Sequence, residues 1–207
     1  MRPKIQTLWV YMSEEFGAYL ALQKLLISLV DLPDADWLLM RNHLHLQSFQ
    51  KKEHLAFANQ ASGNFWFIAS GLVRNYYSTV DGKEFNKSFI TAPGFCGAMS
   101  ELINGNPGRF SIQALEEVTA LAIPIHWFKA ACEESPALEK LAKVQAQQLA
   151  LKKEIREAAL LLDDATERYL QFRRDHPGLE TRIPAYQVAS YLGITEVALS
   201  RIKRRLG

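Results

Sequence analysis

Gln187-Val188-Ala189-Ser190-Tyr191-Leu192-Gly193-Ile194-Thr195, followed without a break by Glu196 to Leu206, reads as two short helices joined by a tight turn. Val188, Ala189 and Leu192 form an inner face on the first helix. Gly193 supplies the positive φ that such a turn needs. Ile194 plugs the angle between the helices, and Thr195 is an N-cap for the second. Leu199, Ile202 and Leu206 are the expected buried face of that second helix. The opposite face presents Glu196, Val197, Ser200, Arg201, Lys203 and Arg204. An α-helix fits the major groove of DNA, and residues near its N-terminus reach base edges. Arg201 is the candidate for a bidentate contact to guanine, Ser200 and Thr195 for donation to phosphate or base, and Val197 for a thymine methyl. Lys203, Arg204 and Arg205 read as phosphate anchors or as a solvated basic end. A helical hairpin with a basic end also occurs in proteins that never touch DNA, so the pattern by itself leaves both readings open.

The charge distribution favours the first. Net charge over 207 residues is only +2, but from Arg182 to Gly207 five cations stand against one acid, Glu196. Concentrated positive charge at one end is what phosphate binding uses. The chain is 48% apolar and 22% charged, which suits a folded domain with a real core. Its two cysteines, Cys96 and Cys132, lie 36 residues apart and neither belongs to a C-x-x-C. A four-thiolate iron–sulfur or zinc site therefore cannot come from one chain's cysteines, and a reducing cytosol is expected rather than a disulfide framework. No run reaches the ~18 apolar residues of a membrane helix. Met1 to Met12 lacks the long apolar core of a signal peptide, so a cytoplasmic protein with no membrane partner is expected.

Upstream, three textures follow one another. About Met12 to Arg41 is expected to be helical, with Phe16, Leu20, Leu25, Leu26 and Leu29 at helical spacing and Pro33 as an interruption. From His43 to about Pro124, short apolar runs alternate with turn residues. Phe65 to Ala69, Leu72 to Tyr77, Phe85 to Ile90 after the Asp81-Gly82 hairpin signal, Ser111 to Leu115 and Thr119 to Ile125 predict an antiparallel barrel or sandwich. Trp127 to Asp163 then reads as a long helix. Leu141, Val144, Gln148, Leu151, Ile155, Ala158 and Leu162 repeat at three and four residues, which is a heptad seam. One helix packing on its own domain gives the same spacing; the charged flanks Lys152, Lys153, Glu154, Arg156 and Glu157 favour a second copy. Asp164 or Thr166 can cap a further helix that His176-Pro177-Gly178 stops, and Ile183-Pro184 opens the next.

Val188 to Thr195 and Leu199-Ser200-Arg201-Ile202 closely resemble the recognition motif of CRP/FNR-type regulators. Phe67-Ile68-Ala69-Ser70-Gly71-Leu72-Val73-Arg74 is similar to that family's early β-roll signature. Ser111 to Glu116 resembles its later roll strand, and Ala165-Thr166-Glu167-Arg168-Tyr169-Leu170 the start of its winged-helix domain. Together they span about Met12 to Leu206 in the right order. The resemblance implies an α+β chain. An antiparallel β-roll of the double-stranded β-helix or jelly-roll type, with flanking helices, would occupy 12–135 as a sensor. A dimerisation helix would occupy 136–163, and a winged-helix-type helix-turn-helix domain 164–207. It also implies a homodimer on double-stranded DNA with two half-sites one turn apart, and RNA polymerase as a further partner. Thr195, Glu196, Val197, Ser200 and Arg201 fall on the family's base-reading face. Val197 stands where many members carry an acid, so no target sequence carries over. The sequence stops at Gly207, directly after the recognition helix, and no wing extension is expected.

The stretch matching a cyclic-nucleotide cassette is Gly94 to Ser100 through Asn106 to Ser111, with Gly97, Ala98, Met99, Glu101, Arg109, Phe110 and Ser111 as the candidate effector pocket. Binders open it with Gly-Glu; here the pair is Gly97-Ala98, and bulky Phe110 follows the phosphate-matching Arg109. The expectation is a degenerate pocket that takes no cyclic AMP and has no cofactor assigned, with a different small effector, or none, left open. The alternative is a cyclic-nucleotide-responsive regulator in which Glu101 serves through a shifted geometry. Single histidines such as His43, His45, His54 and His126 leave a haem variant open. His43-x-His45 also invites a metal-dependent cupin enzyme. However, the first acid after His45 is Glu53, and Phe49-Gln50-Lys51-Lys52 lacks the expected glycine turn, so no catalytic residue or metal site is assigned. A dimeric module that has lost DNA recognition is the third reading.

Overall fold

The computed structural model describes residues 5–207, with side chains from Glu15 onward. Residues 1–4, part of the stretch read as lacking a leader, lie outside it. The chain divides into two compact units: residues up to Asn75 with Phe89–Gln145, and Tyr76–Ser88 with Ala146–Gly207.

The N-terminal unit opens with helices α1 (Ile5–Leu29) and α2 (Asp34–Arg41). Pro33 ends the first run and precedes α2, whose first turn carries Asp34 and Asp36 where the helix dipole favours acids. The buried residues of this stretch are Ala18, Leu22, Leu26 and Val30, each four apart; Phe16 and Leu20, expected on that face, are exposed. The small Ala18 lets the helix sit close, and its face sets the stripe.

Eight strands follow: β1 (His45–Phe49), β2 (His54–Ala56), β3 (Asn64–Ser70), β4 (Leu72–Ser78), β5 (Glu84–Thr91), β6 (Gly94–Cys96), β7 (Ser111–Ala114) and β8 (Val118–Pro124). They form two four-stranded sheets, ordered β1-β8-β3-β6 and β2-β7-β4-β5. Side chains alternate across a strand with period two, and here both sides of the first sheet are covered. Trp66, Ile68, Val118, Ala120 and Ala122 point into the roll with Leu55, Val73, Phe110, Ile112 and Ala114. Phe67, Leu121 and Ile123 point the other way, against α1, α2 and the helices after the roll. The register sets Trp66 beside Ala122 and Ile68 beside Ala120, so large residues meet small ones. Two-sided burial explains why Phe65 to Ala69 reads as an unbroken apolar run rather than an alternation. Gly71, at φ +91, closes the step from β3 to β4; a Cβ there would lie 2.3 Å from the Glu117 carbonyl oxygen.

Helices α3 (Met99–Asn104), α4 (Ile125–Glu134) and α5 (Pro136–Leu162) complete this half. Leu138 and Leu141 at the start of α5 are buried in the same core as Phe67 and Leu121. This corrects the expected seam: Leu141 packs within its own unit, and Val144 is half-buried. From Gln148 the seam faces outward, with Leu151, Ile155, Ala158 and Leu162 exposed.

The C-terminal unit adds α6 (Ala165–Asp175), α7 (Leu179–Arg182), α8 (Ala185–Leu192) and α9 (Glu196–Leu206). Asp164 is the N-cap of α6, in a capping box with Glu167. Tyr169, Phe172, Leu179, Ile183, Val188, Ala189, Leu192, Leu199 and Ile202 are buried. The ring of His176 lies 5.2 Å from Phe172 and 5.8 Å from Tyr191. Burial depresses its pKa below the ordinary 6.5; Asp175 opposes that while Lys152 and Arg156 add to it. The unfolded chain therefore takes up the proton more readily than the fold does, and stability is lost as pH falls through the ordinary histidine range. Urea unfolding followed on this unit should show a lower midpoint at about pH 5.5 than at pH 7.5, and His176→Phe should flatten that difference.

Candidate nucleic-acid interface

Helix α8 ends at Gly193, whose φ of +70 makes the left-handed cap that turns the chain. Thr195 follows as N-cap of α9, its hydroxyl accepting from the Ala198 N–H at 3.2 Å. Thr195→Ala should cost the C-terminal unit about 1 kcal/mol, read as a lower urea midpoint. Val188, Ala189 and Leu192 on α8 meet Leu199 and Ile202 on α9 as the interior of the hairpin. Leu206, expected on that face, is exposed because the last turn of α9 runs past the core.

The outward face of α9 carries exposed Glu196, Val197, Ser200, Arg201 and Arg204. Val197 is 62% exposed, a β-branched apolar side chain on an otherwise polar surface. Arg201, Arg204 and Arg205 line a concavity of about 350 Å³. Their environments differ. Arg205 donates to the Thr166 hydroxyl. Lys203 pairs with Glu180 at 3.3 Å and lies 5.8 Å from the Tyr169 ring. Glu180 also accepts from the Tyr169 hydroxyl, at 2.9 and 3.1 Å. Lys203, read from sequence as a phosphate anchor, thus fastens α9 to α7. Among the described residues, no hydrogen bond or ion pair engages Arg201 or Arg204.

Spacing gave no hint of what supports α8. Asn86 on β5 donates its backbone N–H to the Ser190 hydroxyl at 2.9 Å, and its amide to the Gln187 backbone and side-chain oxygens. Arg156 on α5 donates to the Tyr191 carbonyl at 2.8 Å, its guanidinium 3.8 Å from the Tyr191 ring centre. These partners stand up to 104 residues apart in sequence.

The candidate effector residues sit in the N-terminal unit. Glu101 is buried, but its carboxylate accepts from the Gly63 N–H at 2.6 Å and the Ser62 hydroxyl at 2.9 Å. It fastens the turn before β3 through these two bonds. Arg109 is exposed. Phe110 lies in the roll interior. The Ser111 hydroxyl accepts from the Ala58 N–H at 3.0 Å. Gly97 is extended at φ +159 and packs against Phe65, and Ala98 and Met99 are half-buried at the start of α3. Trp66 fills the roll beside them, its indole N–H donating to Gln47 at 2.8 Å. His43 stacks on Trp127 at 4.7 Å, with its Nδ1 3.0 Å from the Leu39 carbonyl. Among the described residues no three His, Cys, Asp or Glu side chains come together to hold a metal ion. No described helix is long and apolar enough to cross a membrane.

Residues 46–135 match the cyclic nucleotide-binding domain. No curated protein matches in sequence. Solved structures share the fold. FixK2 from Bradyrhizobium japonicum is 19% identical over 79% of this chain and 84% of its own, with a TM-score of 0.68. A protein of Eubacterium rectale assigned to the CRP/FNR family is 18% identical over 84% and 83%, also at 0.68. A variant of CooA from Carboxydothermus hydrogenoformans is 25% identical over 79% and 76%, at 0.61. Residues 46–135 thus match the cyclic nucleotide-binding domain, and the chain shares the fold of these solved structures.

Proposed function

We propose that this chain is a cytosolic transcription regulator that reads double-stranded DNA as a homodimer and has lost the cyclic-nucleotide chemistry of its sensor. The carrying observation is the outer face of α9, where Arg201 and Arg204 extend without an internal partner among the described residues beside exposed Val197 and Ser200. Arginines aimed outward from a helix that fits the major groove are the groups that read guanine edges and phosphates. The exposed seam from Gln148 to Leu162 supports dimerisation through α5. Residues 12–135 would serve as sensor, 136–163 as dimer helix and 164–207 as reader. The roll is filled by Trp66 and Phe110, and Glu101 and Ser111 are engaged elsewhere, which supports a degenerate effector pocket.

Selection of bound DNA from a random pool, run with and without cyclic AMP, tests the reading. One enriched sequence with two half-sites about 10 base pairs apart is expected, unchanged by the nucleotide. No enrichment overturns DNA reading. Enrichment only with cyclic AMP favours the cyclic-nucleotide-responsive alternative.

A further inference from the structure

Glu180 is a carboxylate held where α6, α7 and α9 meet. Tyr169 on α6, itself buried, places its hydroxyl as a donor 2.9 and 3.1 Å from the two carboxylate oxygens. Two cations share that carboxylate. Lys203 on α9 donates from Nζ at 3.3 Å, and Arg173 on α6 brings Nε to 3.9 Å. Both also lie near the Tyr169 ring, 5.8 and 5.9 Å from its centre. The side chains of Glu180, Lys203 and Arg173 are 24%, 36% and 56% exposed. Ion pairs this open to water add little to stability and exchange readily. The carboxylate is the fixed member, since a buried hydroxyl orients it.

The arrangement governs which cations a polyanion can reach. Lys203 lies one turn beyond Ser200 on α9, beside the outward face that carries Arg201 and Arg204. With the acid in place the three side chains bring one net positive charge; without it they bring two. Sequence-independent affinity for DNA depends on how many phosphates the protein neutralises. A phosphate recruits Lys203 or Arg173 only by displacing a carboxylate that Tyr169 holds in position.

We infer that Glu180 withholds Lys203 and Arg173 from backbone phosphates and so sets how strongly DNA reading depends on sequence, without touching DNA itself. Specificity is the ratio of affinity for the site to affinity for every other duplex, and the second is almost wholly phosphate charge. On a selected site, base contacts fix α9 in one register. On other duplex the protein shifts to whatever register suits its free cations. Releasing two cations therefore strengthens the wrong complexes more than the right one. The specificity role rests on the proposed DNA reading; the competition between carboxylate and polyanion does not.

The test compares the full-length protein with Glu180→Gln, which keeps the shape and an acceptor oxygen for Tyr169 but carries no charge. Anisotropy on a scrambled duplex across a salt series should show roughly 5–10-fold tighter binding near 0.1 M salt for each cation that gains a phosphate. The slope of log affinity against log salt should steepen by about 0.9 for each. The ratio of selected to scrambled affinity should fall. Elution from immobilised heparin, a polyanion without bases, should move to higher salt. Tyr169→Phe, which frees the carboxylate but keeps its charge, should shift slope and elution the same way by less. Glu133→Gln, at an exposed acid on α4 outside this unit, makes the same change in net charge and should leave both near native. In a Lys203→Met, Arg173→Met background Glu180→Gln should have no effect. An unchanged slope and elution in Glu180→Gln overturns the inference. So does an equal change in Glu133→Gln, or one that persists without both cations. If the native protein binds no duplex, the DNA reading and the specificity role fail together, and heparin elution alone decides whether Glu180 withholds the two cations.

Discussion

A chain carrying Leu151→Glu and Ile155→Glu should sediment as a monomer at micromolar concentrations at which the native protein should be a dimer. Leu151 is 58% exposed and Ile155 51% exposed, on adjacent turns of a 27-residue helix, with Leu162 further along at 82%. Fully burying such a side chain is worth about 1.5–3 kcal/mol. In a two-fold pair four of them are replaced, each losing a large part of that, and four carboxylates then face one another along the seam. A dimer with a micromolar Kd rests on only about 8 kcal/mol, so the substitutions should move Kd beyond the millimolar range. Glutamate is a good helix former and both sites are exposed in one chain, so α5 itself should survive. Light scattering at increasing concentration reads the outcome directly. A dimer that persists places the interface elsewhere, with the exposed Phe16, Leu20 and Ile27 of α1 as the next surface to substitute.

What could be read from the sequence was local. Gly193 and Thr195 mark the hairpin because a left-handed cap and an N-cap are chemical requirements at single positions. Strands β3, β4, β5, β7 and β8 show as apolar runs between turn residues. β2 and β6, three residues each, and the four-residue α7 carry too little pattern to stand out. Periodicity finds a stripe but not its neighbour, so Leu141 fitted the heptad seam while being buried in its own unit. For the same reason Phe16 and Leu20 fitted a helical face that Leu22 and Leu26 occupy. The missing acid at Ala98 was legible, since absence of a functional group needs no geometry. The destination of the Glu101 carboxylate was not, because Ser62 and Gly63 lie 39 and 38 residues before it. Nor could spacing reveal that Lys203 meets Glu180, or that Asn86 meets Gln187, where two turns of chain path must first be fixed.

Those two partnerships separate the roles of the basic residues on α9, and they sharpen what Arg201→Ala should do. Arg201 has no internal carboxylate among the described residues, so its removal leaves no buried charge behind and should not disturb the hairpin. The loss should fall on DNA alone, about 1–3 kcal/mol, or roughly 5–150-fold, on the selected site. On scrambled duplex the affinity should stay close to that of the native protein. Arg204→Ala should weaken both duplexes alike and reduce the slope of log affinity against log salt by about one. Lys203→Ala should behave differently again, because it releases α9 from Glu180 and loosens the contact of α9 with α7. Fluorescence anisotropy on the two duplexes across a salt series distinguishes all three. If Arg201→Ala weakens selected and scrambled DNA equally, Arg201 is a phosphate contact, and base reading moves toward the N-terminus of α9, to Glu196, Val197 and Ser200.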